Sequence, residues 1–243
     1  MISNLSLLPL LKASPVFRHD VKLLILIPCR GVLREELAKW LSYTLITTPF
    51  LVAWDTHHGR PEDDARNGIV ERFLNDPTGY THLMMIDDDI IPPLSAVQMV
   101  LHGKAIVSAV VFTWKDGEPL ALLMKWDEKE QGYKQNNEAI EKLNHGERLV
   151  EVDASGTGCF VAKREVYENL VTNYFRFQYD SRGKLICGED FDFYQKIKKI
   201  GYSIWIDGAV QCGHVGQIDI AEVQKALINQ QRRIINENNK SPD

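Results

Sequence analysis

Thr81-His-Leu-Met-Met-Ile-Asp-Asp-Asp-Ile-Ile-Pro-Pro93 is the stretch whose reading decides the fold. The apolar residues Leu83 to Ile86 read as a buried strand of a mostly parallel sheet, and they run into three consecutive carboxylates, Asp87, Asp88 and Asp89. Side chains alternate along an extended chain, so Asp87 and Asp89 are expected on one side and Asp88 on the other. This pairs two carboxylates at the carboxyl end of a strand, where open α/β sheets place their ligands. Carboxylates held this close repel unless a cation lies between them, and hard oxygen donors favour Mg²⁺ or Mn²⁺ over zinc. An acidic turn that caps a helix near Leu94 is the plainer alternative, but a cap uses one Asp and not three.

Working outward, Val21 to Pro28 is a continuous apolar run stopped by proline, a first core strand followed by the loop Cys29-Arg30-Gly31. Leu33, Leu37, Trp40 or Leu41, and Leu45 then recur at helical spacing. Phe50 to Trp54 reads as the next strand, ending on Asp55, with His57-His58-Gly59 as a polar loop beside a ligand cleft. Metal ligation by the two histidines is less favoured, because adjacent residues seldom face one ion. The spacing predicts a helix over Pro61 to Asp76, with Ala65, Ile69, Val70, Phe73 and Leu74 on its inner face and Arg66 and Asn67 near its start. A guanidinium beside a helix amino terminus suits a phosphate or the polar edge of a nucleotide.

Beyond the carboxylates, Leu94 to His102 reads as a short helix and Ala105 to Phe112 as another strand, which completes the alternation of a doubly wound sheet. Trp114 to Gly146 breaks it. Aromatics and charges mix there without a period, predicting an excursion of antiparallel strands and loop that shapes an acceptor site. Val150 to Lys163 places Ser-Gly-Thr-Gly between two strands, with a helix from Arg164. Gly188-Glu189-Asp190 opens a helix with Phe191, Tyr194, Ile197 and Ile200 facing inward; acids there serve either as ordinary helix-start residues or as catalysts. After a strand from Tyr202 to Ile206, His214 stands between glycines as a loop residue or a completing metal ligand.

Composition narrows the partners. A hydrophobic content of 44% in 243 residues provides one sizeable core, and a net charge of −5 with scattered Lys and Arg makes duplex nucleic acid a poor partner. The four cysteines form no Cys-x-x-Cys pair, which argues against structural zinc and for a reducing, cytoplasmic setting. The early apolar run, Leu5 to Leu11, is broken by Pro9 and is too short to span a bilayer. A single domain over 1–243 is therefore expected. It divides into a leader of uncertain order (1–20), a nucleotide-binding half (21–113), an acceptor-binding and catalytic half (114–218), and a C-terminal helix and tail (219–243).

With these residues assembled, the chain resembles the GT-A fold glycosyltransferases, particularly family two. The resemblance runs from about Val21 to Gly216 and rests on the order and spacing of several weak motifs: the strand ending in Ile-Pro, Asp55, Ala65-Arg66-Asn67, the Asp-x-Asp of Asp87 and Asp89, Gly156-x-Gly158, Gly188-Glu189-Asp190, and His214. It implies a Rossmann-like three-layer sandwich that binds a UDP- or GDP-linked sugar donor together with Mn²⁺ or Mg²⁺. It also implies Pro28, Arg30, Asp55, Arg66, Asp87 and Asp88 on the nucleotide sugar; Asp87, Asp89 and His214 on the metal; and Asp190 as the base that activates an acceptor hydroxyl, with inversion. The acceptor loops match no pattern, so the acceptor is not carried over. Other readings are a haloacid-dehalogenase-like phosphatase with Asp87 as nucleophile and a catalytically silent nucleotide-sugar binding module. A sugar nucleotidyltransferase is disfavoured, because the first loop lacks a glycine-rich Thr-Arg pattern.

Overall fold

The protein, described from a computed structural model, is characterised over residues 17–29, 31–59, 61–115, 118–170, 173–216 and 232. Arg30, most of the expected leader and all of the expected C-terminal segment except Arg232 lie outside this range.

The first half alternates as the hydrophobic pattern requires: β1 (Arg18–Pro28), α1 (Glu35–Thr47), β2 (Phe50–His57), α2 (Glu62–Asn75) and β3 (His82–Ile86). A short β4 (Ile90–Ile91), a 3₁₀ segment (Leu94–His102) and β5 (Ile106–Val110) follow. The excursion comprises β6 (Phe112–Lys115), β7 (Glu118–Ala121), β8 (Leu123–Asp127), β9 (Gly132–Gln135) and α3 (Asn137–Asn144). The chain then gives β10 (Leu149–Val152), β11 (Ala154–Ser155), β12 (Cys159–Lys163), α4 (Arg164–Leu170), β13 (Gln178–Tyr179) and β14 (Leu185–Cys187). It closes with α5 (Glu189–Lys199), β15 (Ile204–Gln211) and β16 (Gly213–His214).

Seven strands form the central sheet in the order β10-β15-β5-β12-β3-β1-β2. The β1–β2, β1–β3 and β15–β5 pairs are parallel, whereas β12 runs against both β3 and β5, and β10 against β15. Both halves of the chain therefore contribute to one sheet. Period-two alternation sorts β1 and β3 onto two cores: Leu24, Leu26, Leu83 and Met85 pack with Ile69, Phe73, Tyr167 and Phe193 of α2, α4 and α5. Leu23, Ile25, Met84 and Ile86 pack on the other face with Leu37 and Trp40 of α1 and with Ala96 of the 3₁₀ segment. This is the expected α/β sandwich with helices on both faces.

Local departures have local causes. Leu45 and Ile200, expected inside, are exposed, while Thr44 and Phe193 are buried in their helices. The departure is confined to the C-terminal end of each stripe, since Leu37, Trp40, Leu41, Tyr194 and Ile197 are buried as read. Helix α3 falls in the stretch read as aperiodic; Ala139, Ile140 and Leu143 form its one apolar face, packed on the core, and Asn136 caps it by accepting the Ala139 N–H at 3.0 Å. The rest of that stretch is antiparallel, as expected: β6 with β7, and β8 with β9 and β11.

Candidate active site

Asp87 follows the pleat of β3 onto the face of Leu83 and Met85, the side covered by α2 and α5. Arg66 meets it there. Arg66 Nη2 donates to Asp87 Oδ1 and Oδ2 at 2.8 and 3.1 Å, and Arg66 Nε lies 3.5 Å from Glu189 Oε1 at the start of α5. The arginine side chain is only 6% exposed. Burial opposes its charge, but Asp87 and Glu189 more than compensate and its pKa is raised. Burial likewise pushes Asp87 above its ordinary value, with Arg66 pulling the other way. Arg66 thus ties the carboxylate turn to the amino end of α5. Its Nη1 and Nε have no hydrogen-bond partner among the described residues, and it lines the cavity described below.

The alternation predicted for the aspartates stops at Asp87. Ile90 N–H donates to Asp87 O at 3.0 Å, so the chain turns through Asp88 and Asp89, and the Asp89 carboxylate stays within electrostatic reach of Asp87. Asp89 Oδ2 also lies 3.5 Å from His214 Nε2. The backbone holds the two together: β16 pairs with β4, His214 opposite Ile90, and Val215 N–H donates to Asp89 O at 2.8 Å. His214 Nδ1 lies 2.6 Å from the Phe112 carbonyl, which can only accept. The proton is therefore on Nδ1, and in the neutral ring the Nε2 lone pair faces Asp89. Gly158 O accepts the Asp87 N–H at 2.9 Å, which brings the Ser-Gly-Thr-Gly loop against the turn. A Cβ at Gly158 would lie 3.1 Å from Ile90 and 3.3 Å from Val111, so this glycine serves close packing behind the turn.

Pro28, Arg66, Asp87, Asp88, Asp89 and His214 line one cavity of about 260 Å³. Gly59, from the loop expected beside a ligand cleft, and Ala65 are on its wall, as are Cys29 and Glu62, which were not singled out from the sequence; Glu62 reads there as an ordinary first-turn acid. Asp55 is not part of it, since its carboxylate turns to Arg72 on α2. His57 packs against Gly68, where burial lowers its pKa, and His58 is exposed.

An oxygen–nitrogen pair on a divalent ion fits Asp89 and His214. Their 3.5 Å separation is close to the adjacent-ligand spacing of about 3 Å that metal–ligand bonds of ~2.1 Å give at right angles. Asp87, expected on the metal, is engaged with Arg66. Among the described residues no three His, Cys, Asp or Glu side chains gather into a complete cluster.

Asp190 opens α5 beside Glu189 and within electrostatic reach of Arg66. Its Oδ1 accepts the Phe191 N–H at 2.7 Å. Burial, then the charge of Glu189, raises its pKa to about 6. Gly188, two residues earlier, has φ −69°, which any residue adopts, but a Cβ there would lie 2.8 Å from Asp190 Oδ1. Gly188→Ala should therefore fold normally yet displace the carboxylate, lowering any turnover that uses it by roughly 10- to 100-fold. Steady-state kinetics alongside a melting curve check this.

No protein-family model matches the chain, and neither does the sequence of any curated protein. Solved structures do match. A197 from STIV aligns with 81% of this chain and 87% of its own at a TM-score of 0.55 and 17% identity. GalNAc-T7, solved with UDP, GalNAc and Mn²⁺, aligns with 82% of this chain at a TM-score of 0.55 and 11% identity. The match spans 44% of that longer protein. The chain has a GT-A-like fold, the fold of nucleotide-sugar transferases.

Proposed function

We propose that the protein is a metal-dependent glycosyltransferase that moves a sugar, most simply a hexose, from a UDP- or GDP-linked donor to an acceptor hydroxyl with inversion. The observation that carries this is the convergence of Pro28, Arg66, the three aspartates and His214 on one cavity, with the raised Asp190 carboxylate beside Glu189 and Arg66. GalNAc-T7, of like fold, is a UDP and Mn²⁺ complex, which supports a divalent ion here.

Asp89 and His214 would hold Mn²⁺ or Mg²⁺, which when bound neutralises charge developing on the leaving diphosphate. Asp88 and Pro28 border the nucleotide. Arg66 fixes Asp87 and Glu189 at the wall of the cavity. Asp190, largely ionised at neutral pH but still basic, takes the acceptor proton as the hydroxyl attacks the anomeric carbon. Asp55 and Arg30 are not needed for this assignment. The phosphatase alternative is weaker, because both oxygens of its nucleophile, Asp87, accept hydrogen bonds from Arg66. No helix among the described residues is long and apolar enough to cross a membrane.

Calorimetry with UDP and GDP, with and without Mn²⁺, provides the check. Asp89→Ala should remove the Mn²⁺-dependent part of the affinity without unfolding the chain, since the Val215 hydrogen bond is to the Asp89 backbone. Unchanged Mn²⁺-dependent affinity in this variant would sink the metal assignment.

A further inference from the structure

The excursion builds a second cavity, of about 450 Å³, that the transfer chemistry leaves unused. It lies between the β8–β9 hairpin and the outer side of α5. Trp126 and Tyr133 supply ring surface, Gln131 and Gln195 amides, Asp153 a carboxylate, and Lys198 and Lys199 cations.

Its walls are tied together. Asp153 Oδ2 accepts the Trp126 backbone N–H at 2.8 Å, and its other oxygen is held by Lys198 of α5. Tyr133 packs edge-on against Trp126, with centroids 5.2 Å apart, and stacks on Phe191 at 4.9 Å. Phe191 directly follows Asp190, and the Tyr133 hydroxyl lies within electrostatic reach of that carboxylate.

Aromatic rings flanked by planar amides and a fixed carboxylate suit a saccharide. Pyranose C–H faces stack on rings, and neighbouring hydroxyls are bridged by amides and carboxylates. Position sets the length of the ligand. At a rise of 1.5 Å per residue, Gln195 lies about 7.5 Å and Lys198 about 12 Å along α5 from Asp190. A sugar unit that presents its hydroxyl to Asp190 cannot also fill this cavity, whereas the next units of a chain can.

We propose that the acceptor is a saccharide chain of at least two units, whose attacked unit lies at Asp190 and whose following units stack on Trp126 and Tyr133. This rests on the transferase reading for Asp190, but the groove can be tested separately.

The experiment presents defined oligosaccharides of one to six units on an array to the wild-type chain, Trp126→Ala and Trp126→Tyr, with UDP and Mn²⁺ present. UDP–Mn²⁺ binding is followed in the same samples by thermal shift. Wild type should bind the longer members of a series about tenfold more tightly than the single unit; Trp126→Ala should lose that gain and Trp126→Tyr keep most of it. The UDP–Mn²⁺ shift should be the same in all three. Binding that does not depend on length, no saccharide bound, or Trp126→Ala equal to wild type while UDP binds would overturn the groove and spare the donor site. Length-dependent, Trp126-dependent binding without any UDP shift would sustain the groove and sink the donor reading.

Discussion

Asp190→Asn is expected to lower sugar transfer by about 10² to 10⁴ while donor affinity is unchanged. The amide keeps the shape of the side chain and can still accept the Phe191 N–H through its oxygen, but it cannot take the acceptor proton. Glu189→Gln should cost less, because Glu189 faces Arg66. The pH profile provides a second readout. The folded-state pKa of Asp190 stands at about 6 against an ordinary 3.8, so its base form is lost as pH falls through about 6. In wild type kcat/KM should fall with it, approaching tenfold per pH unit, and this limb should vanish from the residual activity of the Asn variant. The stability sign runs the opposite way. The folded state holds this proton more tightly than the unfolded chain, so the raised pKa erodes stability as pH rises from about 4 to about 6. Asp190→Asn should therefore be no less stable than wild type at pH 7, which separates loss of chemistry from loss of fold. Transfer by Asp190→Asn at the wild-type rate would place the base elsewhere.

Arg66→Met should destabilise the fold by about 3 kcal/mol at neutral pH, because it leaves Asp87 and Glu189 facing each other without the cation between them. The side chains of Asp87 and Glu189 are 29% and 13% exposed, which keeps the effect at the low end for a broken buried pair. Urea unfolding at several pH values measures it. The deficit should shrink as pH falls and the carboxylates protonate, since ionisation is what the lost guanidinium supported. Adding Asp87→Asn to Arg66→Met should recover part of the loss. An unfolding free energy for Arg66→Met within about 0.5 kcal/mol of wild type would show that Arg66 does not bridge the two elements.

Much of this site was legible in the chain. The uninterrupted apolar run before Asp87 required a strand buried on both faces, and three carboxylates at its end required a ligand or a cation nearby. Arg66 and His214 could be nominated from local pattern, Pro28 and Asp88 only through the family resemblance, and all four share a cavity. Asp55 could not be sorted out locally, because whether a carboxylate at a strand end turns to a ligand or to a neighbouring arginine depends on the helix packed beside it. The acceptor side was the least readable. Trp126 and Tyr133 are adjacent only because a hairpin pairs them, and Phe191 joins them from a distant helix.

Alternation along β1 and β3 was fixed by residue type, since an apolar run without polar interruption has to be covered on both sides, and this alone determined a sheet between two helix layers. Where each carboxylate points was decided by tertiary structure. A turn after Asp87, set by the Ile90 N–H, ends the extended strand, and the pairing of β16 with β4 brings His214 across 125 residues to meet Asp89. Arg66 is a nucleotide contact by sequence position and a buried clamp by structure, because only the packing of α2 against β3 and α5 puts two carboxylates within its reach.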